Sequence, residues 1–100
     1  MNVIYNKKNF KIYDASDGFI VHNTKLSFEN HHTHLKNFNT CKFIIDLCIH
    51  KSIPNKEISE YLLISILRIS EDRIYRNKIQ QLINLQKKNK KRKQRTKTEV

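Results

Sequence analysis

Three adjoining segments decide the fold of this chain: TCKFIIDLCIHK (residues 40–51), NKEISEYLLISILRI (55–69) and SEDRIYRNKIQQLINL (70–85). In the first, Cys41, Ile44, Ile45 and Cys48 recur at three- and four-residue spacing, with Leu47 beside them. That is the period of a helix with one hidden face. It predicts a helix from about Thr40 to Lys51, capped by Asn39 or Thr40. Lys51-Ser52-Ile53-Pro54 ends it, and Pro54 suits the first turn of the next helix. The second segment predicts a helix over about Asn55 to Ile69. Ile58, Tyr61, Leu62, Ile66 and Ile69 fall on one side, and Leu63, Ile64 and Leu67 widen the apolar surface around the cylinder. So wide a surface calls for a central helix with neighbours on more than one side. The third segment opens on Ser70 as a natural N-cap, with Glu71 and Asp72 where the helix dipole favours carboxylates. Ile74 with Tyr75, Ile79, Leu82 and Ile83 then repeat, and the pattern stops at Leu85.

Ahead of these helices the periodicity changes to two. Asn9-Phe10-Lys11-Ile12-Tyr13 and Gly18-Phe19-Ile20-Val21-His22 are short runs rich in β-formers. The turn-formers Asp14-Ala15-Ser16-Asp17-Gly18 lie between them, with Asp17-Gly18 offering a left-handed position. An antiparallel hairpin follows, with Asn2 to Tyr5 as a candidate third strand. Residues 24–28 are expected to continue the second strand or form another edge. Phe10 and Ile12 share a face; either Phe19 with Val21 or Ile20 with His22 points inward. Residues 29–39 are polar and aperiodic, and read as a loop carrying His31, His32 and His34, anchored by Leu35 and Phe38. The fold class is thus α+β: a short N-terminal antiparallel β-hairpin packed on three helices, followed by a basic, flexible tail.

The charge is divided unevenly. Residues 1–86 hold twelve Lys and Arg against eight Asp and Glu, a net of +4. Residues 87–100 hold eight basic residues against Glu99 alone, a net of +7. Lys87, Lys88, Lys90, Lys91, Arg92, Lys93, Arg95 and Lys97 have no apolar face to bury, so residues 1–86 form the single domain and 87–100 a frayed, disordered tail. The tail can condense on phosphates with release of counterions, but it has no aromatic ring on which a base could stack.

Several classes are excluded by what is missing. No run approaches the roughly 18 apolar residues of a bilayer span, and the first residues lack the apolar stretch and cleavage site of a secretory signal. No membrane association and a cytoplasmic location are therefore expected. With Gly18 as the only glycine, no Gly-rich phosphate loop, dinucleotide fingerprint or nucleophile elbow exists. No cofactor is implied. Cys41 and Cys48, seven apart on one helix, are separated by about 10 Å along its axis, too far for a disulfide. Both read as reduced core residues. His32 and His34 would share one side of an extended strand and could offer two imidazoles to a metal, with Cys41, Cys48 or His22 completing the set. Without close Cys pairs, neither a metal site nor a catalytic role is assigned to them. An alternating-histidine nucleotide site would need a histidine where Lys36 stands.

Two functional readings lead, ahead of a third in which His32 and His34 serve a small metal-dependent enzyme. The first is a nucleic-acid-binding or regulatory domain. Its third helix offers Arg73, Arg76, Asn77 and Gln80 to base edges, while Lys87, Lys88, Lys90, Lys91, Arg92 and Lys93 meet phosphates. The second is a protein-interaction or dimerisation module, in which the apolar second and third helices present a surface to a second copy or a protein partner.

Overall fold

The chain forms four strands and then three helices: β1 (Asn2–Lys7), β2 (Phe10–Ala15), β3 (Gly18–Asn23), β4 (His32–Leu35), α1 (Phe38–His50), α2 (Glu60–Ile69) and α3 (Arg73–Glu99). The computed structural model describes residues 2–55 and 57–99, and the side chains of that set as far as Lys88. The strands make one antiparallel sheet in the order β1-β2-β3-β4. The hairpin expected from residues 9–22 is its centre, and the candidate strand at the N-terminus is β1. Residues 24–28 do not form a strand; they turn, with Leu26 N–H donating to Asn23 and His31 N–H to Ser27.

The histidine stretch is the main correction to the sequence reading. Residues 32–35 are not loop but a strand, paired with β3 through Phe19↔Leu35, Ile20↔His34, Val21↔Thr33 and His22↔His32. Four residues are too few for alternation to stand out. Moreover, Thr33, one of the two residues turned to the core, is polar. It is buried because its hydroxyl donates to Ser65 Oγ on α2 at 2.8 Å, which replaces the water it loses.

Phe10, Ile12, Val21, Thr33 and Leu35 line the sheet face that the helices cover, so Phe19 and Val21 are the inward pair. The opposite pair, Ile20 and His22, is nevertheless also buried. Phe28, from the turn after β3, folds back over that outer face and meets His22 edge-on at 5.1 Å. Gly18 lies at the start of β3 rather than in a left-handed turn. Its φ is 151°, and a Cβ there would stand 2.7 Å from the Leu35 carbonyl oxygen. Glycine alone permits that approach.

Helix starts are set by side chains two to five residues away from where the sequence places them. Asn37, not Asn39 or Thr40, caps α1 by accepting from Thr40 N–H. Lys51 closes α1 in the left-handed conformation, with Ser52 N–H reaching back to the Leu47 carbonyl. Helix α2 starts at Glu60 with Ser59 as its cap, not at Asn55. The Asn55 side chain accepts from Glu57 N–H and makes only a local turn, leaving the preceding Pro54 outside any helix. Asp72, not Ser70, caps α3 by accepting from Tyr75 N–H at 3.0 Å; Ser70 is the C-cap of α2. The backbone of α3 continues past Leu85 to Glu99.

Helix α2 packs against α1, α3, β3 and β4, the central position its composition calls for. Leu63, Ile66 and Ile69 are fully hidden, with Cys41, Ile44 and Ile45 of α1 and Tyr75, Ile79 and Ile83 of α3 in the same core. Asn23 is the polar pin of this core. It is fully buried, donates to the Ile69 carbonyl that ends α2, and accepts from Asn9 Nδ2 and Lys25 N–H. Replacing Asn23→Ala orphans these groups, and a loss of about 2–3 kcal/mol is expected in chemical denaturation. Asn77→Ala on exposed α3 serves as the reference and should stay within about 0.5 kcal/mol of the parent.

Candidate nucleic-acid interface

Helix α3 buries Tyr75, Ile79 and Ile83 on one side, which forces the other side into solvent. Arg73, Asn77, Gln80, Asn84 and Lys88 follow one another there at three- and four-residue steps, and all are exposed. Gln80 Nε2 donates to Asn84 Oδ1 at 3.1 Å, tying two members of the stripe together. No Asp or Glu occurs in the sequence from Arg73 to Thr98. Helices α2 and α3 are joined by only three residues, Ser70, Glu71 and Asp72.

Of the residues singled out from the sequence, Arg73, Asn77, Gln80 and Lys88 come together on this stripe. Arg76 stands at its border, half-buried, and its Nη1 donates to the Leu67 and Ser70 carbonyls at the end of α2. A cation placed on those orphaned carbonyls is favoured both by hydrogen bonding and by the dipole of α2. Lys87 leans toward α2, with Nζ 3.8 Å from Glu60 Oε1. The side chains of Lys90, Lys91, Arg92 and Lys93 lie outside the described residues. Ile74, expected among the core residues of α3, is instead 67% exposed.

The N-terminal end of α3 opens on a cleft of about 550 Å³ that the sequence did not reveal. Lys8, Lys25, Lys51 and Arg73 line it with Asn9, Ser70, Glu71 and Asp72, and Cys48 is also in its wall. Lys8 comes from the β1–β2 turn, Lys25 from the turn after β3, and Lys51 from the end of α1. No local pattern could have joined them. Lys25 and Lys51 approach Glu71 and Asp72 at 3.9 Å each, loose exposed pairs worth at most about 1 kcal/mol. Lys8 and Arg73 make no ion pair among the described residues, so four cations face two carboxylates and the cleft keeps a positive excess.

The histidines are dispersed over three places. His50 is exposed on α1. His22, His32 and His34 share the outer sheet face, whereas Cys41 and Cys48 belong to the core on the other side and cannot join them. His22 Nε2 donates to the Leu26 carbonyl at 2.8 Å, and its buried Nδ1 has no partner. His31 reaches the Arg68 carbonyl through Nδ1. Among the described residues, no three His, Cys, Asp or Glu side chains converge on a point that could hold a metal ion. None of their helices is long and apolar enough to cross a membrane. No family model, curated protein or solved structure matches this chain.

Both thiols are free and buried. Burial disfavours the thiolate and pushes Cys41 up to about 11 and Cys48 up to about 12, from an ordinary 9.0. Burial also raises the Tyr75 hydroxyl, helped by the neighbouring Cys48. Each group keeps its proton longer folded than unfolded. Their stabilisation is complete below about pH 9 and disappears as pH rises through the folded values. Alkaline titration monitored by circular dichroism should therefore find unfolding that sets in above pH 9. Iodoacetamide at pH 8 should label neither thiol until denaturant is added.

Proposed function

We propose that the protein binds nucleic acid, with the solvent side of α3 against the duplex and the basic residues beyond it on phosphates. The observation that supports this most is the stripe Arg73-Asn77-Gln80-Asn84-Lys88, on a helix free of carboxylates up to Thr98. Arginine, asparagine and glutamine are the side chains that read base edges in a major groove, which admits one helix. The three-residue link between α2 and α3 is the length found between paired helices of this use. Arg76 adds the rest of its guanidinium from the border of the stripe. Lys87, Lys88, Lys90, Lys91, Arg92 and Lys93 supply the sequence-independent attraction, since each neutralised phosphate releases counterions. On this reading residues 1–86 position the helix and 87–100 act as a cationic arm.

A second reading, self-association or a protein partner, has one feature in its favour. Ile74 and Leu85 are 67% and 51% exposed and stand three turns apart on one flank of α3. Sedimentation equilibrium distinguishes the two: a dimer that Ile74→Lys dissociates, with no nucleic-acid binding, would replace the first reading by the second.

Fluorescence anisotropy with duplex DNA and single-stranded RNA at rising salt tests the first. Affinity should fall by roughly a thousandfold or more between about 50 and 200 mM salt. Removing residues 87–100 should flatten that slope. Arg73→Ala with Gln80→Ala should weaken binding to a preferred duplex while leaving most of the slope in place. Absence of binding by micromolar full-length protein at low salt would overturn the proposal.

A further inference from the structure

The outer face of the sheet carries a second candidate site, unconnected with α3. His32 and His34 project from β4 on the same side, and their Nε2 atoms are 3.2 Å apart. Two nitrogens bound to one tetrahedral zinc ion, each at about 2.05 Å, are about 3.3 Å from each other. The rings meet at 71° with centroids 5.0 Å apart. Centroids of two imidazoles on one such ion lie about 5.2 Å apart. Rings aligned head-on for a straight N–H···N bond of the same length would be farther apart still, so the two rings are bent away from that alignment, as they are around a shared ion.

The His32 ring is held in place before any ion arrives, and the backbone that carries His34 is anchored. His32 Nδ1 donates to the Phe28 carbonyl, which puts its proton on Nδ1 and its lone pair on Nε2. This is the hydrogen bond that metal-ligating histidines characteristically make with their second nitrogen. The same ring stacks flat on Phe28, with centroids 4.5 Å apart and planes at 4°. The Tyr61 hydroxyl of α2 donates to the His34 carbonyl, fixing β4 at the second ring. His34 is exposed and His32 half-buried, so an ion from solution can reach both.

We propose that His32 Nε2 and His34 Nε2 form a two-histidine chelate for a divalent transition-metal ion of the zinc type, with water in the remaining positions. In the metal-free protein the His34 Nε2 proton bridges the two nitrogens. Coordination moves that proton to His34 Nδ1 and leaves both Nε2 lone pairs on the ion. No acid is consumed and no redox partner is needed.

Isothermal titration of ZnCl2 into the full chain, without an added histidine tag, tests this. One equivalent should bind per chain, with the ring-proton resonances of His32 and His34 shifting together in NMR spectra. His34→Ala, at an exposed position that leaves the core intact, should weaken binding by about tenfold or more. His32→Ala should do the same, whereas His50→Ala on α1 should leave the affinity unchanged. Absence of a heat signal and of any His32 or His34 shift would overturn the proposal. So would zinc binding that survives the combined His32→Ala and His34→Ala variant.

Discussion

Helix α2 has ten residues, and between Tyr61 and Ile69 only Ser65 and Arg68 are not apolar. No single partner can cover such a cylinder, because one helix or one sheet shields only one of its sides. The rest of the molecule is arranged to answer that demand. The sheet lies along one side through β3 and β4, α1 along another, and α3 along a third. Even the polar Ser65, caught in the middle, is accommodated because Thr33 faces it from β4. The strand that the aperiodic 29–39 stretch conceals exists to supply this contact and to close the sheet over α2.

The end of α2 shows how the same demand produces the surface. Burial of Ile69 and Ser70 leaves the last carbonyls of the helix without water, and two distant side chains meet them. Asn23 donates to Ile69 from the sheet, and Arg76 donates to Leu67 and Ser70 from α3. These bonds fix the first turns of α3 against the body, with Arg73 turned outward beside Lys8, Lys25 and Lys51. The positive excess at the mouth of the cleft is thus a by-product of how α2 is terminated. Arg76 serves both ends of the arrangement, since its guanidinium is large enough to hold α2 with one nitrogen and still border the exposed stripe.

On the outer face of the sheet, one ring gathers the aromatic and imidazole side chains. Phe28 meets His22 and Tyr13 edge-on, at 5.1 and 6.1 Å, and His32 stacks on it. A polar turn folded onto a half-polar face orders the imidazoles that protrude from it. The closeness of His32 to His34 follows from strand geometry, in which residues two apart share a side. The orientation of the His32 ring comes from Phe28, 4 positions away, and Tyr61, 27 positions away, anchors the strand at the His34 carbonyl.

Local periodicity alone determined the three helices, the central place of α2, the hairpin at residues 9–22 and the concentration of charge beyond Leu85. These depend on which side chains recur every two or every three to four positions, and that information is carried by neighbours in the chain. Tertiary structure alone decided that residues 32–35 pair with β3, that Asn37, Ser59 and Asp72 are the caps, and that both faces of β3 are buried. It also decided that Lys8, Lys25, Lys51 and Arg73 surround one cleft and that Arg76 ends α2. The strand pairing and the cleft join groups far apart in sequence, whereas the caps are bonds across three residues whose choice among neighbouring candidates depends on where each helix must start once α2 has been enclosed.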